Sequence, residues 1–424
     1  MRKIIIILII ILSIAVIALA GWYFLLRNSN VPVVETVLGI LPFGEGGGDT
    51  TRPTTDPSTS LGASNQGDQS TTGTNDKFAN PTANLFRIST EPVAGVVVFN
   101  INNKGTSTVV ARYVDRATGH IYDADLATLE KTRVTNQTLP KIYEAYFRPD
   151  GNAVLFRSLK EDSDVVENLS LALTPPKAVS TGSPQATSTL YTISSTLLRG
   201  DIGTVAVGSG NTLFYTLRDT SSVVSSAFSG TGVKTLLTSS FTDWRLVTAG
   251  NSLIAYTKAS ASVAGYAYTL NTSSGALTKT VGPFNGLTAV PNSAGDRVLY
   301  SYFENNQTKL FFKNLKSGTV SEILPATLAE KCVWSAKKAG IIFCGTPVDG
   351  TLGTEPDNWY RGLSHFSDYI WHFDTGSEIA QLLAEPEKSL DTKIDLVDPK
   401  LSPNEDYLIF INKTDLSLWA LKLQ

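Results

Sequence analysis

Histidine, cysteine and methionine are scarce in this sequence, whose 424 residues include three His, two Cys and one Met. A zinc site with three histidine ligands would need every histidine in the chain, so we predict no metal centre and no cofactor. Charge is also sparse, since Lys and Arg number 35, Asp and Glu number 38, and the formal net charge is −3. Without a basic excess or a Lys/Arg cluster, nucleic acid is not expected as a partner.

Several catalytic and nucleotide-binding motifs are missing as well. The sequence contains no Gly-x-Ser-x-Gly nucleophile elbow, no phosphate-binding P-loop and no EF-hand loop. Asp115, Asp123 and Asp125 could act as paired carboxylates, but charged residues at strand ends are more often simply solvated. We therefore assign no catalytic residue. Whether the protein is an enzyme is left open, although the missing motifs argue against an enzyme.

A long apolar run occupies the N-terminus. Residues 4–26 are 23 residues without a charge. As a helix rising about 1.5 Å per residue, such a run can cross a hydrocarbon core about 30 Å thick. Arg2 and Lys3 precede it, which favours a cytoplasmic N-terminus and places the rest outside, in the periplasm or at the cell surface. A cleaved signal peptide is the alternative, although the apolar run continues past the possible cleavage site at residues 18–20.

Composition then divides the chain into four parts. Residues 1–27 form the cytoplasmic tip and the predicted membrane anchor, and residues 28–44 form a mostly apolar juxtamembrane segment. In residues 45–84, 22 of the 40 residues are Gly, Ser, Thr or Pro. Such a segment buries too little apolar surface to offset its ordering entropy, so it predicts a disordered linker. The remaining residues, 85–424, form the predicted folded domain.

This folded domain consists of short apolar runs separated by turn residues, without long amphipathic stretches, which predicts an all-β structure. An aromatic residue closes one apolar run in each repeat, and four of the six spacings between these aromatics lie between 41 and 44 residues. A period of this length is typical of propeller blades. The seven aromatics are Tyr113, Phe156, Tyr215, Tyr256, Tyr300, Phe343 and Phe410.

The residues around these aromatics carry a family resemblance. Phe147–Phe156 and Leu401–Phe410 each contain a strand, a turn rich in Pro, Asn, Asp or Gly, and a second apolar strand. This pattern resembles the TolB-type, WD-like propeller repeat, and the chain looks like a membrane-anchored bacterial member of that group. The resemblance implies a seven-bladed β-propeller over about residues 85–424, and it implies almost nothing about function.

The last repeat has room for only three strands before the chain ends, and an unpaired sheet edge is a liability. Residues 85–90 form a free strand just before the first repeat. We therefore predict that this strand completes blade seven and closes the ring.

Cys332 and Cys344 flank a short turn in the sixth repeat, and a hairpin centred on Lys338 places them opposite each other. Directly opposed Cβ atoms lie about 4.5–5.5 Å apart, close enough for a cross-strand disulfide in an oxidising compartment. Two buried thiols that pack as small hydrophobic groups are the alternative.

An insertion at residues 346–367 interrupts the sixth repeat between its second and third strands. It contains three aromatic residues and one arginine, and aromatics and Arg are the types enriched at binding hot spots. The predicted binding residues are Trp359, Tyr360, Arg361, His365 and Phe366. Alternatively, these rings fold back and bury themselves against the blade, as side chains in loops of this size often do.

The leading functional interpretation is a non-enzymatic binding or scaffolding propeller, tethered to the cell membrane by residues 4–26 and exposed outside the cytoplasm. An unknown protein or glycan is its expected partner. The alternatives are a propeller enzyme that acts on glycans through carboxylates and a structural subunit of a cell-surface assembly.

Overall fold

The computed structural model describes residues 76–423, apart from residues 104, 161–162, 164, 177–189 and 352. The predicted anchor at 4–26, the juxtamembrane segment at 28–44 and most of the predicted linker lie outside the described residues. Within the described part, no helix has the length and apolar character needed to span a membrane.

The described residues form 28 strands, two short α-helices and one 3₁₀ turn. The strands are β1 (Leu85–Ser89), β2 (Val93–Asn103), β3 (Thr106–Asp115), β4 (Ile121–Asp125), β5 (Lys131–Arg133), β6 (Ile142–Phe147), β7 (Ala153–Leu159), β8 (Val166–Thr174), β9 (Thr192–Leu197), β10 (Ile202–Val207), β11 (Thr212–Leu217), β12 (Ser222–Ala227), β13 (Lys234–Thr238), β14 (Trp244–Ala249), β15 (Ser252–Thr257), β16 (Ala264–Asn271), β17 (Leu277–Asn285), β18 (Thr288–Pro291), β19 (Arg297–Glu304), β20 (Gln307–Asn314), β21 (Val320–Glu322), β22 (Cys332–Trp334), β23 (Ile341–Pro347), β24 (Asp368–Asp374), β25 (Ile379–Ala384), β26 (Leu396–Leu401), β27 (Tyr407–Asn412) and β28 (Leu418–Lys422). The helices are α1 (Asp357–Tyr360) and α2 (Pro386–Leu390), and the 3₁₀ turn is Ala329–Lys331.

These strands form seven four-stranded antiparallel sheets, which are the blades of a β-propeller. Blades one to six are β2–β5, β6–β9, β10–β13, β14–β17, β18–β21 and β22–β25, in order along the chain. The predicted all-β, seven-bladed fold is confirmed. Each of the seven marker aromatics lies in the second strand of its blade and is buried, because both faces of these strands pack against neighbouring blades.

Blade seven combines both ends of the described chain. Its strand order is β1-β28-β27-β26, so the first strand of the domain is paired with the last one. Leu85 lies opposite Leu421, and Phe86 opposite Ala420, in an antiparallel ladder. Phe86 is fully buried, so this pairing is also a packing contact.

Residues 76–84, which the composition places in the linker, make contacts with the folded domain. The carboxylate of Asp76 accepts a 2.6 Å hydrogen bond from Arg87 of β1. The ring of Phe78 lies 5.5 Å from that of Trp419, measured between centroids. These contacts order residues 76–84 against blade seven, although their composition resembles that of a linker.

Candidate functional site

Strand direction alternates within each blade, so two kinds of connection emerge at one end of the propeller. They are the connections between the second and third strands of a blade and the connections between successive blades. We call this end the insertion face, because residues 346–367 of blade six lie there. The connections between first and second strands, and between third and fourth strands, form the opposite end.

The insertion extends from blade six across its neighbours. Asp357 Oδ2 accepts a 2.6 Å hydrogen bond from the backbone N–H of Ala261, in the β15–β16 connection of blade four. Thr351 Oγ1 accepts a 3.1 Å hydrogen bond from the backbone N–H of Thr308 in blade five. The insertion is therefore fastened to at least two blades besides its own.

Two of the predicted binding residues are buried, and for them the prediction of an exposed anchor is wrong. Trp359 is 5% exposed and Phe366 is 8% exposed, and their rings stack with centroids 6.3 Å apart. Trp359 Nε1 also donates to the carboxylate of Asp395, at 3.0 and 3.1 Å to its two oxygens. Burial and a charged acceptor hold the indole inside the protein, so neither ring is available to a partner.

The other three predicted residues divide between interior and surface. Tyr360 is half-buried and its hydroxyl donates to Glu330 Oε2 at 2.8 Å, whereas Arg361 and His365 are exposed. Glu330 also accepts a short hydrogen bond from the hydroxyl of Tyr256 in blade four. Burial, and then the charge of Glu330, raise the pKa of both tyrosine hydroxyls well above the ordinary value. The tyrosines therefore stay protonated as donors to this carboxylate.

A second polar group lies near the same end of blade two. Arg157 Nη1 donates to Glu144 Oε2 at 2.6 Å, and the hydroxyl of Tyr146 donates to the same oxygen at 3.1 Å. Arg245 of blade four interacts electrostatically with both Glu144 and Glu330. Burial alone would lower the pKa of its guanidinium, but the nearby tyrosines and carboxylates raise that pKa. The carboxylates of Glu144 and Glu330 are thus already engaged by internal donors.

The most deeply buried charges surround Lys331, at the end of the 3₁₀ turn before β22. Its Nζ lies 2.8 Å from Asp368 Oδ2 and 2.5 Å from Asp395 Oδ1, and all three side chains are fully buried. Asp368 begins β24 of blade six, and Asp395 precedes β26 of blade seven. This cluster joins the two blades beneath the insertion.

The carboxylates considered as a catalytic pair have other partners. Asp123 binds the guanidinium of Arg112, with Nε 2.6 Å from Oδ1. Asp115 Oδ1 accepts 2.7 Å hydrogen bonds from the N–H and hydroxyl of Thr118, and Asp125 accepts backbone N–H groups of the turn that follows it. These acids stabilise turns and an ion pair. Within the described residues, no group of three or more His, Cys, Asp or Glu side chains is arranged to hold a metal.

The two cysteines form a disulfide across β22 and β23. Cys332 and Cys344 are paired in the ladder, and their Cα atoms are 4.1 Å apart. The bond lies next to Lys331, so the blade that carries the insertion is also the blade that carries the cross-link.

The insertion face carries most of the exposed large apolar side chains. Among the residues that the structure describes, twelve such side chains are exposed, and seven of them lie on or beside connections of this face. They are Val165, Leu197, Phe241, Val263, Leu324, Val348 and Leu363. Leu363 is the most exposed, at 71%, and it belongs to the insertion.

The buried charges could not be found from the sequence. Lys331, Asp368 and Asp395 are separated by 37 and 27 residues, with no motif at that spacing. A lysine directly before an apolar strand, in Lys331-Cys332-Val333-Trp334, is the one local signal, and such a lysine is usually solvated.

Comparisons with known proteins find similarity only among solved structures. No protein-family model matches the chain, and no curated protein matches it in sequence. Among solved structures, TolB from Acinetobacter baumannii is 12% identical with a TM-score of 0.40, and the match covers 77% of this chain and 63% of that one, less than two thirds of its length. The Pan2 WD40 domain of Neurospora crassa is 10% identical with a TM-score of 0.48, covering 79% and 90%. The propeller domain of the trilobed protease from Pyrococcus furiosus is 12% identical with a TM-score of 0.45, covering 77% and 96%.

At these identities the similarity concerns fold alone. The sheet topology shows that the described part of the chain is a seven-bladed β-propeller.

Proposed function

We propose that this protein is a non-enzymatic binding or scaffolding module, and that the insertion face of its propeller receives a protein partner. We further propose that residues 4–26 tether it to the cell membrane, with the N-terminus in the cytoplasm and the propeller outside. Binding of a glycan at this face in place of a protein would contradict the proposal.

The observation that carries this proposal is the concentration of exposed apolar side chains on the insertion face. Seven of the twelve exposed large apolar side chains among the described residues lie at this end, and an excess of exposed apolar side chains marks a candidate interaction surface. Those side chains come from blades two, four and six, from the connection between blades three and four, and from the connection between blades five and six. A partner that covers several blades at once fits this distribution better than a small molecule bound at one point.

The chemistry of the same side chains favours a protein over a glycan. Sugars are recognised largely by the faces of aromatic rings, and six of the seven exposed residues are aliphatic, with Phe241 as the exception. Aliphatic contacts surrounded by charged residues such as Arg361 are typical of protein interfaces. The Cys332–Cys344 disulfide supports the proposed location, since disulfides persist in oxidising compartments outside the cytoplasm.

Site-specific photo-crosslinking in the producing cells tests the proposal. A photoreactive amino acid replaces Leu363 or Val263 in the full chain, and adducts are identified by mass spectrometry. We expect each position to give the same protein adduct, because both lie on one face.

Matched control positions lie at the opposite end of the propeller. Val320 and Ile379 are 46% and 60% exposed and each begins the outer strand of its blade. They should not give that adduct. Equal labelling of the adduct from both ends, glycan adducts at Leu363, or no adduct at either insertion-face position would contradict a protein-binding insertion face.

A further inference from the structure

The surroundings of Lys331 are those of a reactive amine. Its Nζ contacts the carboxylates of Asp368 and Asp395 and donates to the carbonyl oxygen of Leu396 at 3.0 Å. The rings of Trp359 and Phe366 lie 5.1 and 5.2 Å from Nζ, measured to their centroids, and close the site from the insertion side. An amine and two carboxyl groups are therefore held in contact with water excluded.

The two carboxylates are not equivalent. Asp395 is fully engaged, accepting from Trp359 Nε1 and, at 3.2 Å, from the N–H of Phe366. Asp368 Oδ2 accepts from the N–H of Leu396 at 2.7 Å, whereas its buried Oδ1 has no hydrogen-bond partner among the described residues. A buried carboxylate oxygen without a partner is costly, so this carboxyl gains by losing its charge.

The charges around Lys331 include a second cation. Lys413 is buried, its Nζ lies 5.2 Å from the centroid of the Trp359 ring, and it interacts electrostatically with Asp395. Burial, the largest influence, raises the pKa of Asp368 to about 7 although Lys331 opposes this. A large share of Asp368 therefore carries a proton at neutral pH. The two carboxylates raise the pKa of Lys331 against the effect of burial, so its nitrogen must give a proton to Asp395 before it can react.

We propose that Lys331 and Asp368 condense spontaneously to an isopeptide bond, with Asp395 as the proton-transferring residue. Nζ attacks Cγ of the protonated Asp368 carboxyl, and a C–N bond forms while the bond from Cγ to Oδ1 breaks. Asp395 first takes one proton from the Nζ ammonium, which leaves a neutral amine. As this amine adds to Cγ, Asp395 gives that proton to Oδ1, which leaves as water, and accepts a second proton from Nζ. The products are one amide, one water and a protonated Asp395, so atoms and charge balance and no oxidant, cofactor or further reactant is needed.

Each neighbouring group has a part in this step. The N–H of Leu396 points at Oδ2, where negative charge develops as Nζ adds to the carboxyl carbon, and so it acts as an oxyanion-hole donor. Asp395 lies 2.5 Å from Nζ and is held there by Trp359 and Phe366. Holding the two reacting groups in contact replaces a slow bimolecular condensation by an intramolecular one.

The bond would reinforce one blade. It joins the start of β22 to the start of β24 and closes a chain loop that contains the disulfide and the whole insertion. Both covalent links would then lie in blade six, beside the insertion that forms part of the proposed binding surface.

Mass spectrometry of the purified full chain tests the proposal directly. After reduction and denaturation, we expect a mass lower by one water than that of the unlinked chain, and a protease digest containing the Lys331 peptide joined to the Asp368 peptide. A mass equal to that of the unlinked chain, together with a Lys331 that reacts with an amine reagent in the unfolded chain, would overturn it. A link from Lys331 to Asp395 would overturn the assignment of Asp368.

Two variants separate chemistry from structure. Asp395→Asn keeps an acceptor for Trp359 but removes the proton-transferring carboxylate, so bond formation should slow by about 100-fold or more. Asp374→Asn changes a half-buried aspartate that accepts hydrogen bonds in the turn at the other end of β24, and it should leave the link complete. Full linkage in the Asp395 variant would overturn the role of Asp395. If that variant does not fold, the mass of the unaltered chain still decides whether the bond exists.

Discussion

Trp359 is of a residue type that is common at binding sites, but in this protein it lies in the core. Its indole is buried, donates to Asp395, and contacts the rings of Tyr360 and Phe366. The backbone N–H of Trp359 also donates to Glu355, a buried carboxylate whose pKa is raised by burial. Its role is to hold the insertion on the propeller.

Replacing Trp359 should therefore cost stability. We expect Trp359→Ala to lower the free energy of unfolding by about 3–5 kcal/mol, because a large buried ring leaves a cavity and the Asp395 carboxylate loses a donor. Denaturant unfolding measures this loss.

Arg361→Ala is the matched control, since Arg361 is exposed in the same insertion. Its effect should stay within about 0.5 kcal/mol. Similar, small losses for both variants would show that the Trp359 ring is not part of the core.

At the level of strands, a disulfide and a pairing between the two ends of the domain stabilise the propeller. The β22–β23 pair is cross-linked by Cys332 and Cys344, which are 12 residues apart. The β1–β28 pair joins the two ends of the domain and covers the last sheet edge of the ring.

Removing the disulfide should destabilise the protein moderately. A short closed loop gives a chain-entropy contribution of about 3 kcal/mol, so Cys332→Ala with Cys344→Ala should lower the unfolding free energy by roughly that amount. Thermal unfolding of this double variant, compared with the oxidised parent under the same conditions, is the measurement. An unchanged melting temperature would contradict a stabilising role for the bond.

Loss of β1 should have a larger effect. Deleting Leu85–Ser89 removes three buried apolar side chains, each contributing about 1.5–3 kcal/mol, and exposes the edge of β28. We expect a large fall in melting temperature or a chain that no longer folds.

A deletion within residues 46–75 is the control, because that part of the chain is poor in apolar residues. It should leave the melting temperature nearly unchanged. Equal melting temperatures for the two deletions would refute ring closure by β1.

For the molecule as a whole, the propeller has one end with exposed apolar side chains and internally neutralised charges beneath them. Neighbouring side chains donate hydrogen bonds to Glu330, Glu144 and Asp395, so the buried carboxylates at this end already have internal partners. The exposed apolar side chains above it form the proposed binding surface. A domain with such a surface at one end suits the proposed scaffolding role.

The proposed tether makes a prediction of its own. Deleting residues 4–26 should move the protein from the membrane fraction to the soluble fraction, because about 20 apolar residues suffice to span a bilayer. Protease added outside the intact cytoplasmic membrane should digest the propeller of the full-length protein. Protection of the propeller from that protease would refute the proposed orientation.

Local patterns in the sequence were sufficient for the architecture. The recurring aromatics predicted seven blades, since each blade buries its second strand in the same way. The turn centred on Lys338 placed Cys332 opposite Cys344, because a hairpin sets its register from residues close in the chain. Phe78 and Asp76 were missed, because their composition resembles a linker and their partners, Trp419 and Arg87, are identified only by packing.

The burial of the insertion and the meeting of the buried charges depend on contacts between distant parts of the chain. Whether Trp359 faces solvent or the interior depends on Asp395, which belongs to another blade. Lys331, Asp368 and Asp395 meet because blades six and seven pack side by side, and no periodicity encodes that meeting. The repeats show what all blades have in common. The insertion and the buried charge cluster are features by which blade six differs from the others, so the repeats do not predict them.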